Sequence, residues 1–281
     1  MATNSNGVEG MAKLNVRNLT INTKVWNEDA EETIVLLHGF TGSVATWEQV
    51  VKALPTTIRI MAIDLTGHGQ TDIPLNYARY EMTEQVEDLE ALFEALNVNN
   101  FTLLGYSMGG RVALSYAAQY PKRIKQLILE SASPGLATEA ERQTRRDADF
   151  ALATKIEKNG ITSFVDAWEN IQLFASQKKL SEEVKNAVRQ ERLAQSEIGI
   201  ANSLRGLGTG EQPSLWGKLS SITLSVTLIT GALDEKFCLI AKTMLKSLPN
   251  AQHLVINDMG HAIHVENPVQ FATIVKDIII Q

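Results

Sequence analysis

A serine, an aspartate and a histidine at three separated points carry the residue types of a nucleophilic or proton-transfer site. Ser107 lies in Gly105-Tyr106-Ser107-Met108-Gly109, Asp234 in Thr230-Gly231-Ala232-Leu233-Asp234, and His261 in Met259-Gly260-His261. A serine hydroxyl is a poor base or nucleophile near pH 7 unless an imidazole takes its proton, and the imidazole needs an acid to fix its tautomer. The pentapeptide follows the apolar run Phe101-Thr102-Leu103-Leu104 and precedes Val112, Ala113, Tyr116 and Ala117 at helical spacing. That context predicts a strand, a sharp turn and a helix, which lifts the hydroxyl clear of the sheet. Glycines two residues either side leave room where strand and helix cross. A helix starting just past Ser107 turns its free N–H groups toward any negative charge that forms there.

The partners follow from chain order and from strand ends. His261 follows a glycine in the loop just after the last strand pattern; His264 is expected to pack or to touch ligand, and His253 falls inside a strand. Asp234 is set at a strand's carboxyl end, with Glu130 its main competitor and an N-cap its plainer role. The backbone N–H groups of Met108 and of Phe40, in His38-Gly39-Phe40, are expected to form an oxyanion site. His38 itself is expected to face substrate.

These residues need a sheet to hold them. Thr33-Ile34-Val35-Leu36-Leu37 and Ile58–Ile63 read as strands buried on both faces, ending in His38-Gly39-Phe40-Thr41-Gly42 and in Asp64-Leu65-Thr66-Gly67-His68-Gly69. Met82, Val86, Leu89, Phe93 and Leu96 form a helical stripe. Strands alternating with helices predict right-handed crossovers and a mostly parallel sheet, with the site at its carboxyl edge. Leu14–Val16 and Leu19–Val25 predict an antiparallel hairpin ahead of it. From 134 to 216 the strand pattern vanishes, and this helical, charged stretch reads as an insertion, a cap over a core made of 13–133 and 217–281. Residues 1–12 are expected to be a disordered tail, without the basic and apolar regions of a signal peptide.

Composition narrows the partners. The chain has 281 residues, is 44% hydrophobic, and carries a net charge of −6, which disfavours nucleic acid and anionic membrane. No apolar run is long enough to span a bilayer. The single cysteine, Cys238, excludes an intrachain disulfide and fits a reducing compartment, so a cytoplasmic location is expected. No metal-ligand cluster stands out and no cofactor is implied. Six of the eleven arginines lie between 134 and 216: Arg142, Arg145, Arg146, Arg189, Arg192 and Arg205. Most should decorate solvated helix faces, but Arg111, one turn past Ser107, is placed to hold an anionic substrate.

His38-Gly39-Phe40, Asp64-Leu65-x-Gly67-His68-Gly69, Gly105-Tyr106-Ser107-Met108-Gly109-Gly110-Arg111 and Gly260-His261 resemble the α/β-hydrolase superfamily over about residues 14–280. Glu130-Ser-Ala-Ser-Pro-Gly-Leu136, Asp166-Ala-Trp168, Phe174-Ala-Ser-Gln177 and Leu233-Asp-Glu-Lys-Phe237 are similar to one family within it. These are the 2-succinyl-6-hydroxy-2,4-cyclohexadiene-1-carboxylate synthases of menaquinone biosynthesis. The resemblance implies a lyase that removes pyruvate from a cyclohexene polycarboxylate, with Ser107 as base. It further implies substrate contact by Tyr106, Arg111, one of Arg145 and Arg146, Trp168 and Arg192. A carboxylesterase or carbon–carbon bond hydrolase with the same triad, and a non-catalytic binding protein of the same fold, stand as alternatives. A dehalogenase or epoxide hydrolase is disfavoured, because the elbow carries serine rather than aspartate.

Overall fold

A computed structural model describes residues 10–280. Strand β1 (Gly10–Val16) turns through Arg17 and Asn18, both at positive φ, into β2 (Leu19–Trp26). Two consecutive positive φ values give the turn whose twist suits a two-residue hairpin. Because β1 begins at Gly10, residues 10–12 belong to the sheet and not to a tail; the rest of the expected tail lies outside the described residues.

Six further strands complete the sheet: β3 (Glu32–Leu37), β4 (Ile58–Ile63), β5 (Phe101–Tyr106), β6 (Ile124–Glu130), β7 (Ser225–Gly231) and β8 (Ala251–Ile256). Their order is β1-β2-β4-β3-β5-β6-β7-β8, with β2 antiparallel to both neighbours and the remaining pairs parallel. Helices α1 (Glu48–Ala53), α2 (Met82–Ala95) and α3 (Met108–Gln119) link the strands of the first half. The chain builds outward from β3 to β4 and then returns to place β5 on the other side. This switch opens a crevice at the carboxyl ends of β3 and β5.

Alternating strand residues feed two cores. Val35, Leu37, Leu103, Leu127 and Leu129 pack on one face with α2 and α3. Ile34, Leu36, Leu104 and Ile128 pack on the other with Trp47, Val50, Phe271 and Val275. The apolar strand runs therefore read as they do because both faces are covered.

Between β6 and β7 lie α4 (Glu139–Trp168), α5 (Glu182–Leu193) and α6 (Glu197–Leu207), with no strand among them. Gly160, at φ 83°, breaks α4, and Glu197 caps the second piece by accepting the Ile161 N–H at 2.9 Å. This helical segment has its own apolar cluster, including Ala153, Ile156, Phe164, Val165, Ile200 and Leu204. The chain closes with α7 (Glu235–Leu245), α8 (Ile263–Glu266) and α9 (Pro268–Ile280). No described helix is long and apolar enough to cross a membrane.

Candidate active site

Ser107 follows β5 and precedes α3 with φ 50° and ψ −106°, a backbone conformation unusual for a residue bearing a side chain. The turn fits because of its glycines. A Cβ on Gly105 would run into the Gly109 carbonyl, and one on Gly109 into the carbonyls of Leu37 and His38. Neighbouring strands also hold the turn, the Ser107 N–H donating to the Glu130 carbonyl at 2.9 Å.

His261 reaches this hydroxyl from the loop after β8. Its Nε2 lies 3.0 Å from Ser107 Oγ, and its Nδ1 lies 2.6 Å from Asp234 Oδ2. An imidazole donating from Nδ1 to the carboxylate presents an accepting Nε2 to the serine, the tautomer that proton removal requires. His261 is 1% exposed, so bulk water does not compete for these bonds. The other oxygen of Asp234 accepts the Phe237 N–H at 3.3 Å and caps α7, so both roles considered for this residue are present together.

The other candidates separate cleanly. Glu130 bonds His264 instead of His261: its two oxygens lie 3.0 and 2.8 Å from His264 Nδ1, and both side chains are buried. His264 thus packs beneath Tyr106 and does not line the cavity that opens over Ser107. His253 holds Thr230 Oγ1 at 2.8 Å within the sheet. Cys238 packs on α7, its thiol donating to the Gly231 carbonyl at 3.3 Å.

A cavity of about 550 Å³ opens over Ser107 and His261, lined also by Phe40, Tyr106, Met108, Arg111, Arg145, Trp168, Phe174 and Phe237. Met108 is the first residue of α3, and Phe40 lies in the turn after β3; among the described residues neither N–H has a protein acceptor. They can accept charge on a reacting oxygen.

Arg111 is 9% exposed and held by neutral acceptors, the Gln212 side chain and the Leu207 carbonyl, each at 2.9 Å. Burial, helped by nearby Arg145, lowers its guanidinium to about 10, which leaves it charged at neutral pH. Trp168 packs edge-on to Phe40 at 5.4 Å, and its buried Nε1 has no partner among the described residues. Tyr106 fills the space that a Cβ on Gly39 would need, and burial raises its phenol well above the ordinary value.

Two expected substrate contacts, His38 and Arg192, are placed elsewhere, and of the pair Arg145 and Arg146 only one lines the cavity. His38 is buried, accepting the Leu65 N–H at Nε2 (3.0 Å) and donating from Nδ1 to the Gly39 carbonyl (2.8 Å). Both nitrogens are thus spent on holding the turn, and burial pushes the ring down to about 4. Of the arginine pair, Arg145 lines the cavity while bonded to Asp149 at 2.8 Å; Arg146 turns away to Glu139, Gln143 and the Gly210 carbonyl. Arg192 lies behind Phe174, 4.7 Å over its ring, beside a smaller crevice shared with Tyr106 and Glu191. Arg142, Arg189 and Arg205 are tied to carboxylates at the surface. Sequence reasoning missed Gln212, which braces Arg111 from a distant loop, and nothing in its local pattern marks it.

Comparison with known proteins identifies the family. The α/β hydrolase fold family model matches residues 32–268. A Bacillus subtilis (strain 168) protein provisionally named 2-succinyl-6-hydroxy-2,4-cyclohexadiene-1-carboxylate synthase is 47% identical over 249 residues, 89% of this chain and 90% of that one. The Enterobacter sp. (strain 638) protein of the same name is 30% identical over 246 residues, 88% and 91% of the two chains. Among solved structures, MenH from S. aureus superposes with a TM-score of 0.85 at 35% identity, covering 95% of this chain and 96% of its own. The chain therefore belongs to the α/β-hydrolase fold family, and within it to the 2-succinyl-6-hydroxy-2,4-cyclohexadiene-1-carboxylate synthases.

Proposed function

We propose that this protein is a lyase of menaquinone biosynthesis. It eliminates pyruvate from 2-succinyl-5-enolpyruvyl-6-hydroxy-3-cyclohexene-1-carboxylate to give 2-succinyl-6-hydroxy-2,4-cyclohexadiene-1-carboxylate. Ser107, its own proton passed to His261, removes the proton at ring carbon 2, beside the succinyl ketone. The electron pair moves onto the ketone oxygen, where the Phe40 and Met108 N–H groups donate to it. When that enolate collapses, double bonds form at 2,3 and 4,5, the bond from carbon 5 to oxygen breaks, and enolpyruvate leaves. A proton returned through His261 makes it pyruvate, and no water is consumed.

The observation that carries this reading is Arg111, a buried cation one turn from Ser107 whose hydrogen-bond partners are both neutral and whose nearby carboxylate, Asp149, is already bonded to Arg145. A neutral ester gives no reason to bury a guanidinium; a polycarboxylate does. In this account Arg145, Trp168 and Tyr106 complete the substrate's surroundings, and Arg192 joins them when Phe174 moves aside. Residues 134–216 act as a cap on the hydrolase core, and the enzyme works in the cytoplasm on a small soluble substrate, without nucleic acid. The predominantly apolar walls, among them Leu136, Leu152, Leu204 and Phe237, favour a second reading as a carboxylesterase. Pyruvate release from the cyclohexene substrate, set against turnover of a p-nitrophenyl ester, separates the two.

A further inference from the structure

Glu191, on α5 of the helical segment, is distant in sequence from the triad and does not line the cavity above it. Its Oε1 nevertheless accepts two hydrogen bonds from the sheet core, from Ser43 Oγ and from Thr46 Oγ1, each at 2.7 Å. Those two residues make the capping box of the short turn Val44–Trp47, which follows directly on the turn that presents the Phe40 N–H.

That presenting turn needs external support. Thr41 sits at φ 70°, a region that a β-branched residue rarely adopts and that persists only when the surroundings fix it. One end is fixed by His38, bonded to Gly39 and Leu65. The other is fixed by Asp64, which accepts the Val44 N–H at 2.6 Å, and by the two hydroxyls on Glu191. His38 and Asp64 belong to the core, whereas Glu191 comes from the helical segment. The same segment grips the Phe40 ring through Trp168 and Phe164, at 5.4 and 6.1 Å.

We propose that Glu191 is a positioning residue through which the seating of the helical segment sets the Phe40 N–H at the reacting oxygen. It rests on the reading of Phe40 as an oxyanion donor. Glu191 touches no substrate; it acts through Ser43 and Thr46.

The test compares Glu191→Ala and Glu191→Gln with wild type in two assays. The first is turnover of the cyclohexene substrate. The second is phosphonylation of Ser107 by a fluorophosphonate, in which Oγ bonds phosphorus, fluoride leaves and His261 takes the proton. The second also needs the oxyanion donors, but it does not depend on which substrate is natural. Glu191→Ala should lower kcat and the labelling rate by at least about tenfold, since misplacing a group by 1 Å can cost about 10²-fold. KM should change by less than about threefold, and the thermal midpoint should stay near wild type. Glu191→Gln keeps an accepting oxygen for both hydroxyls, and should recover both rates to within about threefold. Unchanged rates in Glu191→Ala, or losses that follow the melting temperature and are not recovered by Gln, would overturn the proposal. Wild-type protein that labels normally yet releases no pyruvate would instead refute the lyase reading, leaving the labelling series to judge Glu191.

Discussion

One oxygen of Asp234 lies 2.6 Å from His261 Nδ1 while the other caps α7 through the Phe237 N–H. The acid that orients the imidazole is therefore itself oriented by a helix end. Asn can make the same cap but cannot bind imidazolium by charge. Asp234→Asn should accordingly lower kcat by about 10³–10⁴-fold with a thermal midpoint near wild type. Steady-state kinetics together with thermal unfolding check this, and a loss of stability matching the loss of rate would contradict it.

Arg111 carries the prediction about substrate class. Removing one charge-assisted contact to a carboxylate costs about 1.5–3 kcal/mol, or roughly 10–10²-fold in kcat/KM. Arg111→Ala should lose that much on the carboxylated cyclohexene and less than about threefold on a neutral p-nitrophenyl ester. Equal losses on both substrates would remove the anion-binding role.

Much of this site is legible in the sequence because its parts are local. Gly105 to Gly109 specify a turn whose glycines meet backbone, Asp234 comes three residues after Gly231, which ends β7, and His261 follows Gly260 in the loop after β8. The misplacements are of another kind. His38 stands in a motif that points at substrate, yet its ring is claimed by Leu65, a partner supplied by a different loop. Arg145 and Arg146 are adjacent on α4, and only the helix's rotation decides which faces the cavity. Arg192 is set behind Phe174, a tertiary arrangement with no periodic signature. Ser43 and Thr46 show a capping pattern, but nothing local announces that Glu191 reaches them from the helical segment.

The buried histidines set a pH dependence of stability. Burial lowers His38 from 6.5 to about 4, and burial, together with His38 nearby, lowers His68 from 6.5 to about 3. Below pH 6.5 the unfolded chain takes up protons that the folded chain refuses, so stability is complete above that pH and is lost as pH falls toward 4. For His38 the loss is on the order of 3 kcal/mol. Asp149 and Glu191, whose carboxyls are raised by burial, work in the opposite sense. Denaturant unfolding from pH 7.5 to pH 4 should therefore show a shallower acid slope in His38→Asn than in wild type. Identical slopes would contradict the assignment of His38 as a buried neutral ring.

The central claim is that the Ser107 hydroxyl, 3.0 Å from His261, takes a proton from a carboxylated ring and so releases pyruvate. Its most direct test is to mix wild type and Ser107→Ala separately with the cyclohexene substrate and follow pyruvate with a coupled reductase. Wild type should release one pyruvate per substrate consumed, and Ser107→Ala should be slower by at least about 10³-fold while still folded. Pyruvate release at the wild-type rate from Ser107→Ala, or none from wild type, would contradict it.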